Sequence, residues 1–366
     1  MSVPIFKAVP SCSLGTLFPQ LQNRWFLKRD VTLVLVLVLL YSDLYSMNNS
    51  IPIEYEDHRS SKESSAPHIY KAVNFLVNKA VAWNRDQKLT TLIHNMTSRT
   101  MHNDLAVKFR KLHVPGEPLV LTNVYDAATA SIIAEHPSTK AVATASYAVA
   151  ASQGIPDEKL TLSQNLAAVR SIAAVLKTPG DGLPRIPLTV DIQDGYEDVA
   201  TTIREIIALG AVGCNLQDFD NAKNRLRPMA QAVERIQLAM QAARDAGVPD
   251  FVINARTDVL LKHDGQNGGS VEDAIERGRA YLEAGACTVF VWGGSARGGV
   301  SEEEIQRLVE AFDGRLNVKM TLQEGSLTVP ELREIGVARI SLGPELYRAA
   351  MKAFKEKADA VLGYCG

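Results

Sequence analysis

The sequence predicts an α/β fold, a (β/α)8 barrel of the TIM type, over residues 101–366. Three observations predict it. Between Pro118 and Gly343 one unit recurs eight times: a short apolar strand, a polar loop, then a helix-patterned stretch. A parallel sheet needs helical crossovers, and eight of them can close on themselves. Several strands end in carboxylates, amides or an arginine, and the C-terminal strand ends are where such barrels carry their chemistry. Finally, the region from about Asn103 to Leu362 matches the roughly 250 residues that one barrel occupies as a single domain.

The elements follow in order. Asn103–Leu112, with Leu105, Val107, Phe109 and Leu112 in a partly amphipathic pattern, suits a helix lying across the bottom of the barrel. Strand one is Leu119–Val124, and Asp126 can cap the small-residue helix Ala127–Glu135. Strand two, Ala141–Ser146, leads into Ala145–Asp157, a stretch of small residues read as a loop whose N–H groups can approach a carboxylate closely. Thr161 or Ser163 starts the second outer helix, with Leu166, Val169, Ile172 and Val175 at helical spacing. After strand three, Ile186–Ile192, residues Ile203, Ile206 and Ile207 form the apolar face of the third helix. Strand four, Val212–Asp218, and the short stretch Phe219–Pro228 precede a helix from about Pro228 to Ala246, stopped by Gly247. Strand five is Phe251–Asp258, and Ser270 precedes a helix over Val271–Ala284. Strand six is Thr288–Gly293, and Ser301 with Glu304 three residues on forms a capping box. Strand seven, Leu316–Met320, leads to a short helix begun by Thr328 and Pro330, and strand eight, Ala338–Gly343, to a long one over Pro344–Leu362.

Composition narrows the partners. Net charge is −2, which argues against nucleic acid or an anionic membrane as the main partner. The four cysteines, Cys12, Cys214, Cys287 and Cys365, show no CxxC spacing, so a reduced compartment is the simplest reading. Cys214 lies inside an apolar strand and reads as a buried structural thiol; His263, in a Gly-rich loop, reads as solvated. Residues 1–100 form an N-terminal extension, either a targeting segment or a linker. Met1–Arg29 has no acidic residue and is weakly like an organellar presequence. Val31–Tyr41 is an apolar run too short to cross a bilayer, which takes about 20 residues, so membrane contact requires it to be a true anchor or signal. A cytoplasmic protein is expected, with a mitochondrial or membrane-associated one as the alternative.

Strands three to five carry the most polar ends: Asp191-Ile192-Gln193-Asp194, Asn215-Leu216-Gln217-Asp218 and Asn254-Ala255-Arg256-Thr257-Asp258. Alternation puts Asp191 and Gln193 on one face, and likewise Asn215 and Gln217. Taken singly, each aspartate also suits a turn or a helix cap; adjacent ends together point to a shared site. Asp218 and Asp220 are the weaker candidates, and Asp258 suits a supporting role. A hard divalent cation takes oxygen ligands, often one or two carboxylates with retained waters. An arginine on a neighbouring strand can bind a substrate carboxylate through two parallel bonds. Together these would hold a 2-oxo or 2-hydroxy acid and stabilise an enolate as a bond at its third carbon breaks.

The residues also carry a resemblance. Leu121–Ala128, Gly154-Ile155-Pro156-Asp157, Val190–Tyr196, Ile253–Asp258 and Ser341-Leu342-Gly343-Pro344 resemble, in order and spacing, the isocitrate lyase/phosphoenolpyruvate mutase superfamily. The likeness covers about Asp104 to Leu362 and is greatest to the shorter phosphoenolpyruvate phosphonomutase-like branch. It implies a Mg2+-dependent barrel, with Mn2+ as the alternative ion, that makes or breaks C–C or P–C bonds in small carboxylic acids. It also implies a homo-oligomer. Asp191 resembles the principal metal-binding aspartate, with Gln193 and Gln217 beside it as further metal positions. Asp157 resembles the loop aspartate near metal and substrate, and Arg256 the arginine that holds the substrate. Ala145, Ser146 and Tyr147 look like the pyruvoyl-binding segment, and Asn215 and Asn317 complete the expected substrate contacts.

The departures matter as much. The family usually has an acid at position 193 and a glutamate at 217; an amide offers a ligand oxygen without charge, so metal affinity should be weaker. Asp194 and Asp218 lie one residue on, and alternation points them elsewhere unless the strand end twists or bulges. Ala145 replaces a serine. The lyase branch carries a catalytic cysteine in a gate loop after strand four; Phe219–Pro228 has neither Cys nor His, and Lys223, with Asn224 and Arg225, is left to supply a proton or phosphate contact. Strand six ends in Gly293 where lyases commonly have a glutamate. The expectation is a carbon–carbon lyase acting through an enolate. Phosphonomutase chemistry, or a catalytically weak metabolite-binding member of the superfamily, is the alternative.

Overall fold

The computed structural model describes residues 101–177, 183–261, 268–294 and 296–363. His263, Val31–Tyr41, Cys12 and Cys365 lie outside the described residues. In chain order the elements are α1 (101–111), β1 (Leu119–Leu121), β2 (Asn123–Val124), α2 (Ala127–Glu135), β3 (Val142–Thr144), α3 (Ser146–Ser152), α4 (Leu162–Leu176), β4 (Leu188–Asp191), α5 (Val199–Ala208) and β5 (Gly213–Gln217). The hairpin strands β6 (Phe219–Asp220) and β7 (Arg225–Leu226) follow, then α6 (Met229–Asp245), β8 (Val252–Thr257), α7 (Val271–Glu283), β9 (Thr288–Val291), α8 (Glu302–Ala311), β10 (Leu316–Lys319), α9 (Val329–Ile335), β11 (Arg339–Ser341) and α10 (Glu345–Gly363).

The stretch read as strand one is split at Thr122. Its first half, β1, pairs with β11 and its second half, β2, pairs with β3, both in parallel, and this split closes the ring. The other seven predicted strands each contain one observed strand, and all pairs in this sheet are parallel. The caps read from the sequence are formed: Asp126, Thr161, Ser270, Ser301 and Thr328 each accept from a backbone N–H three residues on, satisfying donors that the helix itself cannot. The isoleucine face of α5 (Ile203, Ile206, Ile207) is buried against the barrel. Cys214 and Cys287 are buried free thiols, and burial pushes both upward in pKa. Among the described residues no helix is long and apolar enough to cross a membrane.

One expectation needs correction. Ala145–Asp157 is not an open loop: Ser146–Ser152 is helical and Asp157–Lys159 forms a single 3-10 turn. Alanine favours helix more than any other residue, and this run contains four. Within the short Phe219–Pro228 stretch, β6 and β7 pair as an antiparallel hairpin.

The barrel interior is more polar than the stacked aliphatic layers usual for this architecture. Arg339, fully buried on β11, reaches across to β5, where Nη2 donates to Asn215 Oδ1 at 3.0 Å. Burial pulls its guanidinium down to about 10. Asn254 donates to the same Asn215 oxygen at 2.9 Å, and Thr288 to Asn254 at 2.7 Å. Below this layer Phe109 of α1 is fully buried, facing Gly213. A Cβ at 213 would stand 2.7 Å from the Phe109 ring and 2.8 Å from the Val252 carbonyl. Gly213→Ala is therefore expected to destabilise the fold by about 1–3 kcal/mol, the scale of core overpacking, read as a lowered urea midpoint with unchanged slope.

Candidate active site at the C-terminal rim

Asp191 ends β4, and the surrounding chain fixes its carboxylate. Thr144 Oγ1 accepts from the Asp191 backbone N–H at 2.9 Å, and Asn165 donates to its carbonyl at 2.9 Å. One carboxylate oxygen accepts from the Ser146 backbone N–H at 3.0 Å, the other from the Gln193 N–H at 3.2 Å. Ser146 is thus the first residue of α3 presenting its amide to Asp191.

Gln193 arrives by a route that alternation does not describe. The strand has ended, and Gln193 has φ 52°, in the left-handed region that costs a side-chain-bearing residue about 1–2 kcal/mol. That turn brings its Nε2 to Asp157, donating to the carbonyl at 2.7 Å and to Oδ1 at 2.9 Å. Burial first, and the Asp191 charge second, push the Asp157 carboxyl above its ordinary range. Gln217 ends β5 with its backbone N–H on the Gln193 carbonyl at 2.8 Å and its Nε2 on Asn221 Oδ1 at 3.0 Å.

The aspartates one residue further on do point elsewhere. Asp194 pairs with Arg227 at 2.7 Å, and Arg227 pairs with Asp220 at 2.8 Å. Asp218 is 2% exposed and accepts from Thr257, Tyr281, Arg277 and the Asp258 N–H. These acids tie the hairpin and α7 to the barrel.

Arg256 stands opposite Gln217 in register. Its Nε and Nη2 are taken up by Asp258 at 2.6 and 2.8 Å, and its guanidinium lies 5.3 Å from the Trp292 ring centroid. Burial works to lower its pKa, but Asp258, then Asp191 and Asp157, outweigh it and hold the group above its usual value. Gly293 cannot carry the acid usual at the end of strand six without moving the chain, because a Cβ there would meet the Gly299 carbonyl at 2.1 Å.

Several expected residues lie away from this cluster. Lys223 sits at the hairpin tip, its side chain 61% exposed and its ammonium 3.9 Å from Asp220, so its chemistry is that of a solvated ion pair. Asn215 and Asn317 belong to the polar layer beneath: Asn215 accepts from Arg339 and Asn254, and Asn317 donates to Ser341 at 3.2 Å. Tyr147 is largely exposed beneath the Arg348 guanidinium, and Ala145 is the buried residue preceding α3. Sequence reasoning missed Lys319, two residues beyond Asn317 on β10 and hence on the same face.

The raised Asp157 gives a pH prediction. A carboxyl whose folded pKa exceeds its unfolded one contributes stability that is complete below the ordinary carboxylate range and is lost as pH rises through the raised value. Asp157→Asn is therefore expected to stabilise the metal-free protein at pH 7 by about 0.5–2 kcal/mol, with the gain shrinking toward pH 4, as read by calorimetric melting at both values.

Among the described residues no three His, Cys, Asp or Glu side chains are grouped to hold a metal. The available donors are two carboxylates, Asp191 and Asp157, and the amide oxygens of Gln193 and Gln217, whose nitrogens are engaged elsewhere. This all-oxygen set fits a hard divalent ion that keeps several waters.

Comparison with known proteins gives a consistent result. The sequence profile described as phosphoenolpyruvate phosphomutase matches residues 109–362. A crystal structure from Burkholderia cenocepacia J2315, provisionally named a phosphonomutase, is 37% identical with a TM-score of 0.61, covering 72% of this chain and 100% of that one. An uncharacterised protein of Mycobacterium tuberculosis is 29% identical over 70% of this chain and 89% of its own length. The 2-methylisocitrate lyase of Escherichia coli K12 is 32% identical over 49% of this chain, a stretch that is 62% of the enzyme.

Proposed function

Since the chain belongs to the phosphoenolpyruvate phosphomutase family, within the isocitrate lyase/phosphoenolpyruvate mutase superfamily, we propose that it cleaves or forms a carbon–carbon bond in a small 2-oxo or 2-hydroxy acid through an enolate. The observation that carries this reading is the pairing of Asp191 and Asp157 through Gln193, which donates to both carboxylates, on the rim that also holds Arg256. Asp191 and Asp157, with the Gln193 and Gln217 oxygens, would hold Mg2+ or, failing that, Mn2+. When bound, the ion supplies positive charge for an oxygen that becomes negative in the reaction.

The remaining work falls to the chain itself. Ser146 and the Gln193 N–H orient the Asp191 carboxylate, so little reorganisation is left at the moment of reaction. Arg256, fixed by Asp258 and backed by Trp292, orients the substrate carboxylate. Superfamily relatives are lyases and mutases of small acids, such as 2-methylisocitrate lyase, and this supports the reaction class.

A second reading, that the protein binds a metabolite with little turnover, is favoured by the amides at 193 and 217. Titration with Mg2+ and Mn2+, while pyruvate or enolate release from a panel of 2-oxo and 2-hydroxy diacids is followed, tests the first reading. Turnover indifferent to chelation would overturn it. With phosphoenolpyruvate or phosphonopyruvate as the substrate instead, their interconversion in phosphorus NMR, or release of inorganic phosphate, would favour P–C chemistry.

A homo-oligomer belongs to the same proposal. Only Glu345 of α10 is buried, while Phe354, Val361 and Leu362 are 71%, 66% and 70% exposed, an apolar surface that an assembly would cover. Sedimentation is expected to give a dimer or larger, shifted toward monomer by Phe354→Glu.

A further inference from the structure

The barrel mouth holds a second cation that the proposed reaction does not use. Lys319 ends β10, and the register Asn317↔Arg339 and Lys319↔Ser341 places its side chain on the lumen face, since Arg339 spans the interior to Asn215. Its side chain is 11% exposed. It crosses strand eight where Gly343 offers no obstruction, a Cβ there standing 3.3 Å from Lys319 Cε. The ammonium lies 2.9 Å from Glu345 Oε1 and 5.7 Å from the Trp292 ring centroid. Arg256 contacts the same indole at 5.3 Å. One aromatic plate therefore carries two cations, one from strand five and one from strand seven.

Both cations are braced by a carboxylate, but the bracing differs. Asp258 takes two nitrogens of Arg256. Glu345 takes one bond from Lys319, whose ammonium has three N–H donors, and it also accepts from Arg348 at 3.2 Å. The Lys319–Glu345–Arg348 group therefore carries a net positive charge, beside an Arg256–Asp258 pair that is neutral overall. Arg348 is 53% exposed and shares Glu345 from the solvent side, while Lys319 keeps two N–H donors beyond its Glu345 bond; in so buried a setting those donors favour an anionic partner.

The geometry points to Lys319 as the residue that selects substrates bearing a second anionic group: a 2-oxo acid whose far end is a carboxylate, held across Trp292 from the end that Arg256 holds. This assignment rests on the 2-oxo acid reading of the site.

The test is calorimetric binding, with Mg2+ present, of two four-carbon ligands differing at the far end: 2-oxobutyrate, ending in methyl, and oxaloacetate, ending in carboxylate. Oxaloacetate is expected to bind the wild-type protein about 10- to 100-fold more tightly, the range of a charge-assisted bond. Lys319→Met should abolish that ratio while changing 2-oxobutyrate affinity less than about twofold, within the scatter of a site not touched. Lys319→Arg should restore part of the ratio. Glu345→Gln, which removes the competing carboxylate, should raise it. A lysine that merely pins the start of α10 would respond in the opposite way, both Lys319→Met and Glu345→Gln weakening the fold and neither moving the ratio. Equal binding of the two ligands by wild type, or a ratio surviving Lys319→Met, overturns the assignment of Lys319 alone. Failure of both ligands to bind overturns the 2-oxo acid reading and this inference with it. Tighter binding of phosphonopyruvate than of oxaloacetate, also lost in Lys319→Met, would replace the carboxylate by a phosphonate and overturn the diacid assignment.

Discussion

Asp191→Ala is expected to reduce turnover by about 10²- to 10³-fold, the scale of removing one preorganised electrostatic partner, and to weaken Mg2+ binding by at least about 100-fold. The size follows from what Asp191 does in the structure. Its carboxylate is held by two backbone N–H groups and stands beside Asp157, whose carboxyl is already displaced upward by burial and by Asp191 itself. Two acids held together in a partly buried site define a place where a cation is wanted. The two amides nearby contribute no charge, so within the proposed donor set Asp157 alone is left to carry it. Asp191→Asn separates fold from chemistry, because an amide oxygen still accepts from Ser146 or Gln193. Isothermal titration with Mg2+ on both variants, beside their melting temperatures, checks the claim. Unchanged metal affinity in a folded Asp191→Ala protein would remove Asp191 from the proposed site. The converse substitution, Gln217→Glu, should tighten Mg2+ binding by restoring charge.

Arg256→Met carries the second large effect, this time on stability as well as activity. The Arg256–Asp258 pair is two-pronged, and Asp258 is only 3% exposed. Removing the cation takes both guanidinium bonds from a buried carboxylate, and breaking a buried pair costs about 3–5 kcal/mol; Trp292 also loses the guanidinium against its face. Urea unfolding should show this as a lowered midpoint with the slope preserved. The double variant Arg256→Met/Asp258→Asn should recover much of the stability and none of the activity, since the buried negative charge is gone but the substrate-carboxylate anchor is not restored. A loss below about 1 kcal/mol in the single variant would mean the pair behaves as an exposed one.

Most of the architecture was legible because it is written in local chemistry. Capping residues such as Ser301 and Thr328 sit at their helix starts for a reason that involves only a few neighbouring backbone donors. The eight apolar strands are short and bounded, so period and composition locate them. α3 was not legible for the opposite reason: the residue at its N-cap is Ala145, which has no side chain to cap it, and its residues are nearly all small. Asp191 and Arg256 could be singled out by their place at strand ends. Gln193 could be named, but not how it reaches Asp157, because a left-handed backbone at a glutamine has no sequence signature.

The sequence by itself therefore determined the barrel, the order of its elements and the family to which its strand-end residues point, because hydrophobic period, caps and turn residues act over a few positions along the chain. Only the tertiary structure decided which polar residues share a site. Asp157 meets Gln193 from 36 residues away, and Lys319 meets Trp292 from the next strand. It also decided that Asp194 and Asp218 serve the scaffold, since their partners Arg227, Arg277 and Tyr281 lie on elements brought alongside only when the barrel closes. Such pairings depend on register, burial and the closure of the ring, and none of these is a property of a local stretch of chain.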